Sequence, residues 1–190
     1  MALGIISANA FAGETEGKMK VDTKTSTLVW KGSKVTGKTH TGTIALKNGT
    51  IGVEKGRIVS ANVTVDMGTM QCTDDMSDEM TGKLVGHLQS PDFFNVAEHP
   101  TAFFTLSKFE KLKDGSYTVT GKITIKGISQ EISFPARASF TDGGVTLDAE
   151  VVFDRSKFDV RYGSGSFFDD LGDNMISDDI AITLHIEAKV

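Results

Sequence analysis

The sequence is poor in several residue types that mark particular classes of protein. It has one cysteine, three prolines and one tryptophan among 190 residues, so a disulfide framework or a multi-cysteine zinc site is excluded. Twenty-five acidic residues outnumber 20 basic ones, and no basic stripe is present, which argues against a nucleic-acid partner. No stretch approaches the roughly 18 apolar residues of a membrane-spanning helix. The composition is that of a soluble globular domain.

The amino terminus carries the features of an export signal. Residues 1–12 are apolar and uncharged, and they end in Ala10-Phe11-Ala12, which predicts signal-peptide cleavage after Ala12. A basic start is missing, so we interpret residues 1–12 as the remnant of a truncated signal peptide; a disordered apolar tail is the alternative. A periplasmic or secreted domain over 21–190, preceded by a polar leader at 13–20, is expected.

Most of the remaining chain has the two-residue periodicity of β-strands. Apolar and polar residues alternate over 28–67 and again over 103–153, with turn signals at 47–49 and 54–56 in the first region. The last segment, 180–188, alternates as well and can close the sheet against its beginning. These patterns predict an all-β protein, an antiparallel barrel of about eight strands.

One segment has helical periodicity instead. Met76, Met80, Leu84 and Leu88 recur at four-residue spacing after an acidic start at Asp74 and Asp75, and they therefore share one helical face. Ser90-Pro91 follows, and the residue before a proline disfavours helix. A single inserted helix over about 74–89 is predicted.

Three sequence blocks resemble those of a known family. The blocks are Trp30-Lys31-Gly32 with Gly37 to Gly42, then Gly82 to Val96 containing Asp92-Phe93-Phe94, and then Phe153 to Phe158 with Arg161 to Phe168. In this order they resemble the YceI-like polyisoprenoid-binding proteins over residues 21–190. The resemblance implies a lipocalin-like barrel that binds an apolar lipid. Lys157, Asp159 and the added loop 163–170 depart from the commonest family pattern and are typical of a subgroup.

The apolar side chains suit the interior of such a barrel. Twelve phenylalanines against two tyrosines give aromatic rings without polar groups, which fit either a packed core or a cavity for hydrocarbon. Composition leaves both open. The expected ligand contacts are Met67, Met76, Met80, Leu84, Leu88, Phe93, Phe94, Phe104, Leu106, Ile123, Ile125, Phe134, Phe153 and Phe158.

Two arginines are candidates for binding a lipid head group. Arg155 and Arg161 lie in the third block, and a guanidinium presents a fork of donors matched to phosphate or quinone oxygens. The alternative is a structural or surface ion pair with Asp154 or Asp159.

The sequence does not indicate catalysis. The four histidines have no metal-binding spacing, the acidic residues of 169–179 do not match a calcium loop, and Cys72 has no base nearby in sequence. No catalytic residue, metal or cofactor is expected. We predict non-catalytic binding, transport or storage of a polyisoprenoid, isoprenoid quinone or similar amphiphile by a monomer or homodimer, compatible with transient membrane contact. The alternative is a protein-interaction module with a packed interior that binds through a strand edge or the 163–179 loop.

Overall fold

The structure, a computed structural model, describes residues 17–190. The signal peptide and cleavage predicted at residues 1–12 therefore lie outside the described residues. The described elements are β1 (Gly17–Val21), β2 (Thr27–Ser33), β3 (Thr39–Glu54), β4 (Arg57–Cys72), α1 (Asp78–Gln89), β5 (Thr101–Lys111), β6 (Tyr117–Ile125), β7 (Ile128–Thr141), β8 (Gly144–Asp154) and β9 (Asp179–Lys189), with two short 3-10 helices at Arg155–Phe158 and Gly172–Asn174.

The strands form one closed antiparallel barrel, as predicted. From β3 to β9, each strand pairs with the next strand in sequence, and β4 pairs with β5 even though α1 lies between them. Strand β2 lies between β3 and β9. Strand β1 pairs with the far ends of the same two strands, β3 and β9. The strands β1 and β2 therefore share one strand position in the barrel, so the nine strands form an eight-stranded barrel.

The longest connections, the α1 segment and the 155–178 loop, lie at one end of the barrel. The β2–β3 turn, the α1 segment, the β6–β7 turn and the 155–178 loop lie at this end, which we call the upper end. The lower end has the hairpin turns of β3–β4, β5–β6 and β7–β8. The β3–β4 and β6–β7 turns place Lys55-Gly56 and Lys126-Gly127 at positive φ, as tight two-residue hairpins require.

One predicted turn is absent. Residues 47–49 lie inside the 16-residue strand β3, where a bulge shifts the register between Leu46 and Asn48. Gly49 is needed there because a Cβ atom would come within 2.7 Å of the Val21 side chain. The glycine that indicates a turn in the sequence instead allows β1 to pack against β3.

The helix begins four residues later than predicted. Asp74 is held by β3, since its Oδ1 atom accepts hydrogen bonds from the Thr41 amide at 2.9 Å and the Thr41 hydroxyl at 2.8 Å. Ser77 then caps the helix by accepting a hydrogen bond from the Met80 amide. Residues 74 and 75 therefore belong to the connection before α1.

The end of the predicted leader is part of the barrel. Residues 17–20 belong to β1, and Met19 is fully buried. Within residues 17–190, neither α1 nor the two 3-10 helices have the length and apolarity that a bilayer crossing requires.

Candidate functional site

The barrel interior contains two adjoining cavities rather than a fully packed core. The upper cavity has a volume of about 380 Å³ and the lower cavity about 180 Å³. They share four lining side chains, Ile44, Ile125, Phe153 and Ile182. The two spaces therefore meet at one apolar constriction.

Among residues 17–190, those that line the lower cavity are all apolar. Its walls come from β2 to β9 and include Phe104, Leu106, Ile123 and Phe134. The rings of Phe104 and Phe134 lie 5.9 Å apart. Such a space is suited to a hydrocarbon segment and offers no side-chain partner for a polar group.

The upper cavity adds polar side chains to an apolar wall. Ser33, Lys34, His40 and Asn174 line it together with Trp30, Met67 and Met70. Its volume falls within the range of about 300 to 1,000 Å³ that is usual for small-molecule sites. The polar groups are therefore concentrated at the upper end of the barrel.

An irregularity in β4 shapes the wall of the upper cavity. Residues 67–70 lie opposite the single residue Ile44 of β3, so β4 bulges away from the regular ladder. In a regular strand Met67 and Met70 would face opposite sides, yet both are buried and line the cavity. Alternation in the sequence therefore finds Met67 and misses Met70.

The helix covers the upper cavity with only part of its predicted face. Leu84 and Leu88 line the cavity together with His87. Met80, one turn earlier, is 55% exposed, and Met76 precedes the helix and lines neither cavity. The four-residue spacing correctly predicts a helix, but only residues in the second half of this helix line the cavity.

Aromatic contacts join the helix to the loop that follows β8. The His87 ring packs edge-on against Phe93 and Tyr162, with centroid distances of 5.0 and 4.5 Å. All three residues line the upper cavity. This cluster connects the α1 segment with the 155–178 loop beside the cavity.

Most of the predicted ligand contacts line the two cavities. Phe158 does not: it is buried behind the wall and packs edge-on against Phe153 at 5.6 Å. The predicted residues that line a cavity are Met67, Leu84, Leu88, Phe93, Phe94, Phe104, Leu106, Ile123, Ile125, Phe134 and Phe153.

Arg155 lines the upper cavity, but its donors are directed into the 160–178 loop. It is 1% exposed, and its guanidinium donates to four backbone carbonyls at 2.9 to 3.1 Å and lies 3.3 Å from Asp178. Burial lowers the pKa of Arg155, while Asp178 and Asp154 oppose that shift. The four carbonyls belong to Val160, Tyr162, Ile176 and Ser177.

Arg161 lies outside both cavities. Its side chain is exposed, pairs with Asp159 and lies over the ring of Phe167 at 5.0 Å. The cation that lines the cavity with an available charge is Lys34, which forms no ion pair within residues 17–190 and has Asn174 Oδ1 3.5 Å from its Nζ atom. Lys34 is not predictable as a site residue from the sequence, because nothing in its local pattern separates it from the other lysines.

A polar cluster lies beside the upper cavity and includes His40, which lines that cavity. The Nδ1 atom of His40 is 2.6 Å from Asp74 Oδ2, and Cys72 lies in contact with the same carboxylate. Burial acts to raise the pKa of Asp74, but hydrogen bonds from His40, Thr41 and Cys72 outweigh it and hold the pKa at about 2. Burial raises the pKa of the Cys72 thiol. The cluster was not visible in the sequence because His40 lies more than 30 residues before Cys72 and Asp74.

The fold and the site together define a lipocalin-like barrel with an apolar internal cavity. A family model described as the YceI-like domain matches residues 19–188. The chain belongs to the YceI-like family.

Solved structures with the same fold cover most of the chain. BcnA of Burkholderia cenocepacia superposes with a TM-score of 0.71 at 23% identity, covering 89% of this chain and 99% of that one. A Saccharophagus degradans structure, described as a polyisoprenoid binding domain implicated in plant cell wall breakdown, gives 0.69 at 14% identity, covering 92% and 99%. At these identities the likeness shows the fold.

Curated relatives match over a shorter segment. A UPF0312 protein of Pectobacterium atrosepticum is 37% identical over 51 residues, which are 27% of this chain and 26% of that protein. A UPF0312 protein of Azotobacter vinelandii is 33% identical over 51 residues, 27% of each. The chain therefore matches about a quarter of the length of these relatives.

Proposed function

We propose that this protein binds a long-chain apolar lipid of the polyisoprenoid or isoprenoid-quinone class inside the barrel and carries or stores it without chemical conversion. The observation that carries the proposal is the pair of joined cavities, one lined entirely by apolar residues. Membership of the YceI-like family and the fold shared with a polyisoprenoid binding domain support it.

The distribution of polar residues favours one orientation of the lipid. The tail occupies the lower cavity and crosses the constriction, and the head group lies in the upper cavity near Lys34, His40 and Asn174. The Lys34 ammonium has three N–H donors, and within residues 17–190 its one hydrogen bond is to Asn174 Oδ1 at 3.5 Å, so it can also bind a phosphate or a carbonyl oxygen. Lys34 therefore replaces Arg155 as the first head-group candidate, because the Arg155 donors are already used.

The physical chemistry of the tail fits a carrier or a store. Each methylene moved out of water contributes about 0.8 kcal/mol, so a lipid of tens of carbons is not free in water. It exchanges with a bilayer, against which burial in the barrel gains little free energy. The apolar, uncharged residues 1–12 support a periplasmic or secreted location, where such a lipid needs a carrier between membranes.

A protein-interaction role is the second candidate. The exposed rings of Phe167 and Phe168 in the 163–179 loop favour it as a contact surface. The other two features on which this candidate depended, a packed interior and an available strand edge, are not supported by the described barrel, which is closed and contains two cavities.

Lipid extraction tests the proposal. The protein is purified from its native host without detergent, and the extract is analysed by mass spectrometry for isoprenoid lipids. We expect close to one isoprenoid lipid per chain in the native protein, and a strong reduction in Ile182→Trp, which fills the constriction. Val152→Trp is the matched control, because Val152 lies on the neighbouring strand and is 55% exposed. A native protein without stoichiometric lipid, or equal lipid in all three proteins, contradicts the proposal.

A further inference from the structure

The upper end of the barrel holds a cluster of three different metal-binding side chains. One ligand atom from each of His40, Cys72 and Asp74 lies within 4.8 Å of the other two. All three residues are partly buried, and His40 also lines the upper cavity. We propose that His40, Cys72 and Asp74 form a binding site for a single divalent cation of the zinc class. The site does not depend on lipid binding.

Strand pairing brings the three ligands together. His40 lies near the start of β3, and Gly42, two residues later, pairs with Cys72 at the end of β4. The chain then turns, since the Thr73 amide donates to the Thr41 carbonyl at 2.9 Å. Asp74 is thereby directed back toward His40. These backbone contacts fix the ligand positions independently of a metal.

The chemistry of the ligand set selects the kind of cation. A thiolate, an imidazole and a carboxylate are the three common protein ligands of zinc, and calcium or magnesium would require oxygen ligands instead. Three protein ligands leave the fourth tetrahedral position for water or another oxygen donor.

Asp74 is oriented as the carboxylate ligand of a metal usually is. Both Thr41 hydrogen bonds end on its Oδ1 atom, which leaves Oδ2 directed at His40 Nδ1. Hydrogen bonds to the outer atoms of a ligand fix its direction and increase metal affinity.

The geometry needs a small adjustment to accept zinc. Zinc bonds of about 2.0 to 2.3 Å in a tetrahedron separate the ligand atoms by roughly 3.3 to 3.7 Å. His40 Nδ1 and Asp74 Oδ2 are now 2.6 Å apart, as in a hydrogen bond, so the metal replaces that proton while the pair opens by about 0.8 Å.

Another histidine with two carboxylate neighbours provides the contrast. His185 contacts Asp148 through Nδ1 at 2.7 Å and Glu187 through Nε2 at 3.4 Å. Because these carboxylates lie on opposite ring nitrogens, they do not converge on one point. A cation therefore has no common centre there, and His185→Gln is the matched control.

Cobalt titration of the full chain tests the site. The chain has one cysteine, so a thiolate-to-cobalt charge-transfer band can come only from Cys72. We expect one cobalt per chain with this band, loss of the band in Cys72→Ser, and affinity at least about 10-fold lower in His40→Gln, Asp74→Asn and Thr41→Val. His185→Gln should bind as the native chain does. Absence of the band at saturating cobalt, or unchanged affinity in both His40→Gln and Asp74→Asn, overturns the proposal.

A measurement on the unmodified chain avoids dependence on variant folding. Zinc should slow alkylation of Cys72 by a thiol reagent at least about 10-fold, because a coordinated thiolate is not available to react. Calcium at the same concentration serves as the control cation and should leave the rate unchanged. Alkylation at the same rate with and without zinc also overturns the proposal.

Discussion

Arg155 is a residue whose role depends on burial. Its position in a motif near a barrel end fits a lipid head-group ligand, and the sequence leaves a structural ion pair open as the alternative. The structure places it at 1% exposure with four backbone carbonyls and Asp178 around it. Because four of the five N–H donors bind backbone carbonyls and the guanidinium pairs with Asp178, we infer that Arg155 mainly holds the loop that borders the upper cavity.

Replacing Arg155 should therefore affect folding more than lipid selection. In Arg155→Met the four carbonyls and Asp178 lose their partner, and removal of one member of a buried charged network costs about 3 to 5 kcal/mol. Arg161→Met is the control: Arg161 is exposed and paired with Asp159, so a loss within about 1 kcal/mol is expected. Urea unfolding measures both. Similar values for the two variants would show that the Arg155 network contributes little.

His185 should give a small pH dependence of stability on the outer face of the barrel. Its hydrogen bonds to Asp148 and then Glu187 raise its pKa above the ordinary value, so folding favours the protonated ring. The contribution is fully present below the unfolded pKa of about 6.5 and disappears as the pH rises through the folded pKa.

The effect of His185 can be isolated with two variants. The stability difference between the native chain and His185→Gln should be larger at pH 6 than at pH 9 in urea unfolding. It stays modest because the side chain is 36% exposed. Asp148→Asn should lower the His185 pKa observed by NMR titration; an unchanged pKa would contradict the assignment.

At the scale of elements, α1 packs loosely against the barrel although it covers the upper cavity. It has no buried residue, and it contains Gly82 and Gly86 in its interior. A Cβ atom at either glycine would meet no atom within 4 Å. The glycines thus lower helix stability without a packing reason, and we infer that α1 is the element that opens to admit a guest.

Alanine at these glycines should stabilise the helix and slow lipid release. Gly82→Ala and Gly86→Ala are each expected to add about 0.5 to 1 kcal/mol, measured as slower hydrogen exchange over 78–89. Release of a fluorescent isoprenoid analogue should slow in parallel if α1 is the exit. Gly56→Ala is the contrast, since Gly56 has a φ of +68° and alanine is strained there. If the lipid release rate is unchanged although hydrogen exchange in α1 is slower, the lipid does not leave past α1.

Element boundaries show where local pattern is sufficient and where it fails. The turn predicted at 54–56 is confirmed as a hairpin at Lys55-Gly56, because a tight turn is set by neighbouring residues. The turn predicted at 47–49 is wrong, since the same residue types also permit a bulge and a close approach of Val21. The start of α1 differs because Asp74 binds Thr41, a contact distant in sequence.

At the scale of the whole molecule, the two cavities differ in the polarity of their walls. In the part of the chain that the structure describes, polar side chains line the upper cavity and none lines the lower one. In the proposed complex, the upper cavity therefore binds the head group and the lower cavity binds the tail. Substitutions at the two ends should act independently, since distant sites are usually additive.

Two variants test this division. Lys34→Met should weaken binding of an isoprenoid phosphate while leaving the neutral alcohol of the same length unchanged. Ala61→Phe, in the lower cavity wall, should weaken long chains more than short ones, whatever the head group. A competition assay with a fluorescent lipid measures both, and the double variant should show the sum of the two free-energy losses. Chain-length discrimination by Lys34→Met would contradict the orientation.

The sequence by itself determined the β architecture, the barrel closure, the single inserted helix and most of the apolar wall. These features depend on periodicity and turn chemistry, which act between neighbouring residues. Only the tertiary structure decided that the interior is hollow, that Met70 turns inward and that Arg155 is saturated. It alone brought His40, Cys72 and Asp74 together. Cavities, bulge registers and polar clusters are made by residues far apart in the chain, so no local pattern records them.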